Sequence, residues 1–173
     1  MKFQHGICLA ICLASMVIMG LVGCKKDEKA QAPPIDGTPY LLADRPQEVQ
    51  QVKQFLAAAQ DGDQVAVVGR IGGEVKPWVE GLAMFNIVDT SLVPCNEIPG
   101  DQCPNPWDYC CASDLAEGRT SVKVVDKQGE IVAEDARRLL SVTELQTVVI
   151  QGTARRDQNG NVTLEAHGVF VQP

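Results

Sequence analysis

The chain has 173 residues, 45% of them hydrophobic and 5% aromatic, with 15 Lys and Arg against 22 Asp and Glu. That mix belongs to a globular domain and excludes a disordered or collagen-like chain. A formal net charge of −7 also speaks against DNA or RNA as a partner, because such affinity comes mostly from neutralised phosphates.

The first 23 residues combine one early lysine, Lys2, with an uncharged run from Gly6 to Gly23 that ends at Cys24. A basic start, an apolar core and small residues at its end predict a signal peptide over 1–23. The run is also long enough to cross a bilayer, so a retained anchor is the competing reading. Leu21-Val22-Gly23-Cys24 resembles the lipobox of bacterial lipoproteins. The resemblance implies removal of 1–23 and a lipid on Cys24. It places the chain on the exported face of the cell membrane or outer membrane, where its partner is an unidentified envelope component. Cys8 and Cys12 read as small apolar residues of the signal core.

Residues 24–43 read as a flexible tether, most clearly over 25–39, where charges, Ala, Gln, Pro and Gly dominate without an apolar period. A domain is expected over 44–173. Asp44 and Pro46 look like a helix start, and Val49, Val52, Phe55, Leu56 and Ala59 share one helical face, which predicts a helix over 46–60. Asp61-Gly62 ends it, with Gly62 free to take positive φ.

The remainder of the chain reads as β-structure. Strands are expected over Val65–Ile71, Met84–Asp89, Ser121–Val125, Thr147–Thr153 and Val162–Val171, the last broken at Gly168. A helical piece around Asp135–Leu145 carries Ser141 and Glu144 at capping-box spacing. Asp126–Gly129 and Asp157–Gly160 are turns, and Asn159-Gly160 is a hairpin signal.

Five strands with a helix between the third and fourth is the order of the OB-fold, so the fold class is mainly all-β, a five-stranded OB-like barrel. The V-x-V-x-G-x-I first strand, the F-x-I-x-D second strand and the V-x-I-x-G fourth strand resemble OB domains of the tRNA-anticodon-binding type, over about residues 64–173. In such a barrel Gly69 and Gly152 relieve crowding where strands coil. The fold alone brings no function. Trp78 and Trp107 lie next to prolines, outside the strands, so the stacking platform of a single-strand binder is not expected.

The long connection over 90–120 holds Cys95, Cys103, Cys110 and Cys111, all the cysteines outside the signal and lipobox. Connections of this length in compact domains tend to be functional. Pro106-Trp107-Asp108-Tyr109-Cys110-Cys111 resembles an element of an uncharacterised exported bacterial OB family, a likeness that carries no activity with it. Two readings compete for the cysteines. An even number in an oxidising compartment predicts two disulfides, each joining Cys95 or Cys103 to Cys110 or Cys111. Alternatively, four thiolates hold zinc, copper or an iron–sulfur centre, with Glu97, Asp101 and Asp108 as nearby oxygen donors. His167 reads as a strand histidine. Trp107, Tyr109 and Asp108 are candidate binding residues, and a miniature core under the loop is the other reading of the two rings.

Gly69-Arg70-Ile71-Gly72-Gly73 ends a strand and opens no helix, so it reads as a bulge and turn, not a phosphate cradle. No hydrolase or thioredoxin-type motif is present. The expected function is a non-enzymatic, lipid-anchored binding or scaffold module without a cofactor and with a disulfide-stapled loop. The alternative is a metal-binding or redox envelope protein.

Overall fold

The computed structural model describes Pro33 and residues 35–173. The signal segment, the lipobox and most of the tether lie outside the described residues. The chain runs β1 (Gln50–Gln51), α1 (Val52–Ala58), β2 (Gln64–Ile71), β3 (Met84–Val88), β4 (Arg119–Val124), α2 (Ala136–Leu140), β5 (Thr147–Arg156) and β6 (Val162–Val171). Short 3-10 turns lie at Thr38–Tyr40, Cys95–Glu97 and Pro106–Asp108.

Strands β2, β3, β4, β6 and β5 are hydrogen-bonded in that order, and β5 pairs back onto β2 to close a five-stranded barrel. β4 and β6 run parallel; the other barrel neighbours are antiparallel. This is the OB-like arrangement expected from the strand order, with α2 between the third and fourth barrel strands. The interior follows the period of two: Val67 and Ile71, Phe85 and Ile87, Val122 and Val124, Val148 and Ile150 all point into one core.

The expected break in β6 is a bulge. Gln151 faces Gly168, but Gly152 faces Ala166, so His167 is the extra residue. Ala166 and Val169 are therefore both core residues although three apart. The close approach explains Gly152: a Cβ there would stand 2.0 Å from the Glu165 carbonyl oxygen. At Gly69 a Cβ would likewise stand 2.9 Å from the Val88 carbonyl oxygen.

Two helical expectations need correction. The helix expected over 46–60 is only α1, because residues 43–49 form an irregular segment and Gln50–Gln51 pairs in parallel with Val67 and Val68 of β2. Gln51, at the helix N-cap, makes no side-chain cap bond. The cap comes from the barrel instead: Asp89 Oδ2 accepts from the backbone N of Lys53 at 2.8 Å. At the other end Arg156 donates to the Ala59 carbonyl at 2.9 Å. Val52, Phe55 and Ala59 still form the buried face, and Gly62 takes φ +88°. The second helix is capped by Asp135, which accepts from Arg137 N, and it ends at Ser141 in the left-handed region. Ser141 thus terminates α2 and starts no capping box. Glu144 instead accepts from the Trp78 indole at 2.6 Å.

At the end of the tether expected over 24–43, residues 40–42 lie against the barrel. Leu42 N donates to the Val169 carbonyl at 2.9 Å, Leu41 bridges Val169, and Tyr40 packs against the core. No helix among the described residues is long and apolar enough to cross a membrane.

Candidate metal centre

The connection between β3 and β4 starts and ends at one point on the barrel. Asp89 N donates to the Gly118 carbonyl at 2.7 Å, and Asp89 Oδ1 accepts from Ser91 N at 3.0 Å, which turns the chain out of β3. Over this root sits a second, smaller core of Val88, Leu92 and Tyr109, with Ala112, Leu115 and Leu145 packed against it.

Tyr109 is wholly enclosed, at 0% exposure, and takes φ +55°. Its hydroxyl is buried without a hydrogen-bond partner. Burial pushes the phenol above its ordinary pKa range, against the pull of the Arg70 guanidinium.

The loop rests on the glycine turn after β2. Gly73 N donates to the Trp107 carbonyl at 2.7 Å, and a Cβ on Gly72 would lie 2.5 Å from that oxygen and 3.0 Å from the Tyr109 ring. The glycines therefore seat a loop, in keeping with a turn and not a phosphate cradle. Further out, Trp107 Nε1 donates to the Val75 carbonyl at 3.1 Å, Arg70 pairs with Glu97 at 2.9 Å, and the Lys53 ammonium contacts Asp114 and Ser91.

Pinned in this way, the loop brings its cysteines into one cluster. Cys110 Sγ lies 3.7 Å from Cys95 Sγ, 3.9 Å from Cys103 Sγ and 3.9 Å from Cys111 Sγ. Asp108 Oδ1 stands 3.6 Å from Cys95 Sγ and 3.8 Å from Cys103 Sγ, and is held by Cys110 N at 2.9 Å. Asp101 accepts from Cys103 N at 2.6 Å through Oδ1 and from Cys111 Sγ at 3.5 Å through Oδ2. Cys95 is fully buried, Cys103 half-buried, and Cys110 and Cys111 are exposed.

No disulfide is formed among the four cysteines, which are all free. A bonded pair needs an S–S distance of about 2.05 Å. Here Cys110 is nearly equidistant from three sulfurs, because the αL turn at Tyr109 and the Asp108 carboxylate hold the thiols as a cluster and do not match them in pairs.

The thiol spacing has a simple chemical counterpart. An ion bound tetrahedrally at about 2.3 Å from each sulfur sets the sulfurs about 3.8 Å apart. Segment 95–111 carries Glu97, Asp101 and Asp108 and no Lys or Arg of its own; Glu97 is paired with Arg70 from β2. Hydrogen bonding with Cys95 and then with the Asp108 carboxylate pushes the Cys110 thiol well above the usual range, and Asp101 does the same to Cys111. A cation coordinated to sulfur reverses that balance and releases the protons.

No known protein family and no characterised protein matches this sequence. The centre is defined by its own chemistry. Of the oxygen donors considered from the sequence, Asp101 and Asp108 join the sulfurs, whereas Glu97 is turned to Arg70. His167 stands apart on the barrel wall, with its ring nitrogen 3.0 Å from Thr153 Oγ1. The two aromatic candidates separate: Tyr109 is core, while Trp107 is half-buried over Val75. Trp107→Ala is therefore expected to cost about 1–2 kcal/mol, below the range for truncating a fully buried aromatic, as read from urea midpoints.

Proposed function

We propose that the protein is a lipid-anchored, exported OB-type module whose cysteine loop is a metal centre, a binding or scaffold element of the cell envelope and not an enzyme. The observation that carries the metal reading is the convergence of Cys95, Cys103, Cys110 and Asp108, whose ligand atoms all lie within 4.8 Å of one another. A mixed set of thiolates and carboxylate suits Zn²⁺ best; Cu(I) and iron–sulfur centres favour sulfur alone. The lipid anchor is supported by the Leu21–Cys24 motif, and the binding role by the lack of a catalytic constellation in the sequence.

The test uses full-length protein extracted from membranes in detergent, without chelator. Intact mass should show loss of residues 1–23 and acyl chains on Cys24. Elemental analysis should find zinc, and thiol titration after denaturation without reductant should find four reactive thiols on the domain. No metal and no free thiols would return the loop to two disulfides. An unprocessed N-terminus would remove the lipid anchor.

A further inference from the structure

The thiols do not all belong to one donor set. One set is Cys95, Cys103, Asp108 and Cys110; the other is Cys95, Asp101 and Cys111. Within each, every ligand atom lies within 4.8 Å of every other, and Cys95 is common to both. Cys103 and Cys111 fall in different sets, so a single ion held by all four sulfurs is not the arrangement the loop prepares.

The local structure explains the division. Cys110 and Cys111 are chain neighbours following the αL residue Tyr109, whose enclosed ring fixes the turn. Their sulfurs lie 3.9 Å apart, and each has a further neighbour of its own: Cys103 Sγ at 3.9 Å from Cys110 Sγ, and Asp101 Oδ2 at 3.5 Å from Cys111 Sγ. Asp101 is tied by Oδ1 to the Cys103 backbone, which leaves Oδ2 for the Cys111 side. Cys95, fully buried, stands between them.

We infer that the loop is built for two cations bridged by the Cys95 thiolate, an inner one with four protein donors and an outer one with three. This rests on the proposal that the loop is a metal centre. The first position has four protein donors, three sulfurs and one carboxylate oxygen, which completes a tetrahedral shell. The second has three, so its fourth place is left to a donor from outside the protein. Closed shells hold structural ions, and shells with one open place admit water or an incoming ligand. The outer ion is therefore the exchangeable one, and its open place takes a small donor molecule such as water or a thiol. The bridge is chemically reasonable because a thiolate has lone pairs for two ions. Two divalent ions also offset most of the charge of four thiolates and two carboxylates.

The test is a stoichiometry measured on the reduced, metal-free full chain in detergent. Zn²⁺ retained through gel filtration is quantified, and Co²⁺ absorption serves as a second probe of thiolate coordination. The wild type should retain two equivalents, and Cys111→Ser should retain one, with the far-ultraviolet spectrum unchanged. Asp101→Asn provides a second variant that keeps every sulfur and should also lose the outer equivalent. In the wild type, a weak chelator should strip one equivalent and leave the other. One equivalent in the wild type overturns the two-ion inference and leaves the metal centre standing. Two equivalents in both variants overturn it as well, since the outer position would not need its proposed ligands. No bound metal in the wild type overturns the metal centre itself.

Discussion

Tyr109→Ala should destabilise the domain by about 3–5 kcal/mol, the usual cost of truncating a buried large aromatic. The ring is enclosed at 0% exposure and is the largest member of the small core under the cysteine loop. Its loss removes the contact with Val88 and Leu92 and the support beneath the Gly72 turn. Tyr109→Phe is the informative companion. The Tyr109 hydroxyl is buried without a partner, so removing it relieves a desolvated polar atom and leaves the packing in place. Equilibrium denaturation should place Tyr109→Phe at or above the wild type and Tyr109→Ala far below it. A Tyr109→Phe variant as unstable as Tyr109→Ala would show that the hydroxyl, and not the ring, holds the loop.

Asp89→Ala should cost about 2–4 kcal/mol, because buried N–H groups left without an acceptor cost roughly 1–3 kcal/mol each. At 2% exposure this carboxylate accepts from the backbone of Lys53 at the start of α1 and from Ser91 at the root of the insertion. It thereby joins the helix, β3 and the cysteine loop. Burial works to raise its pKa, but the hydrogen bonds from Lys53 and Ser91 prevail and hold it below the ordinary carboxylate range. A lowered folded-state pKa contributes stability above the unfolded value, about 3.9, and that contribution is lost as pH falls through the folded value. The wild type should accordingly lose stability below about pH 4. Asp89→Asn should show a flatter acid limb when urea midpoints are measured from pH 6 downward. An unchanged acid limb in Asp89→Asn would mean that other carboxylates carry the pH dependence.

Asp89 also shows where local sequence reading stops. It is visible as the last residue of an F-x-I-x-D strand, but its role is to cap a helix through the backbone N of Lys53, 36 residues earlier in the chain. The helix signal at Asp44 and Pro46 is sound as local chemistry, yet the chain there is irregular and the helix starts only at Val52. Local propensity proposes helix ends, and a buried acceptor supplied by the barrel selects one of them. Ser141 illustrates the same limit. The pair Ser141 and Glu144 has the spacing of a cap, but α2 has already ended at Leu140, and Glu144 is drawn to the Trp78 indole.

The barrel itself was legible because its determinants are local. Alternation of apolar residues marks each strand, Gly62, Gly129 and Gly160 take the positive φ that their turns require, and the order of elements narrows the topology to one closed sheet. The identities of the site residues were legible too: the cysteines and their acidic neighbours stand in one stretch of sequence, Cys95 to Cys111. Tertiary structure alone decided how they are arranged. Whether four thiols pair or converge depends on angles set by the αL turn at Tyr109, by its ring in the small core and by the Gly72-Gly73 seat from another strand. Whether an acid is a donor depends on what else lies within its reach: Arg70 claims Glu97, and Asp101 and Asp108 are left to the sulfurs. Spacing along the chain carries none of this, because the partners that orient the loop come from β2 and the glycine turn at its end, more than twenty residues before the first cysteine of the loop.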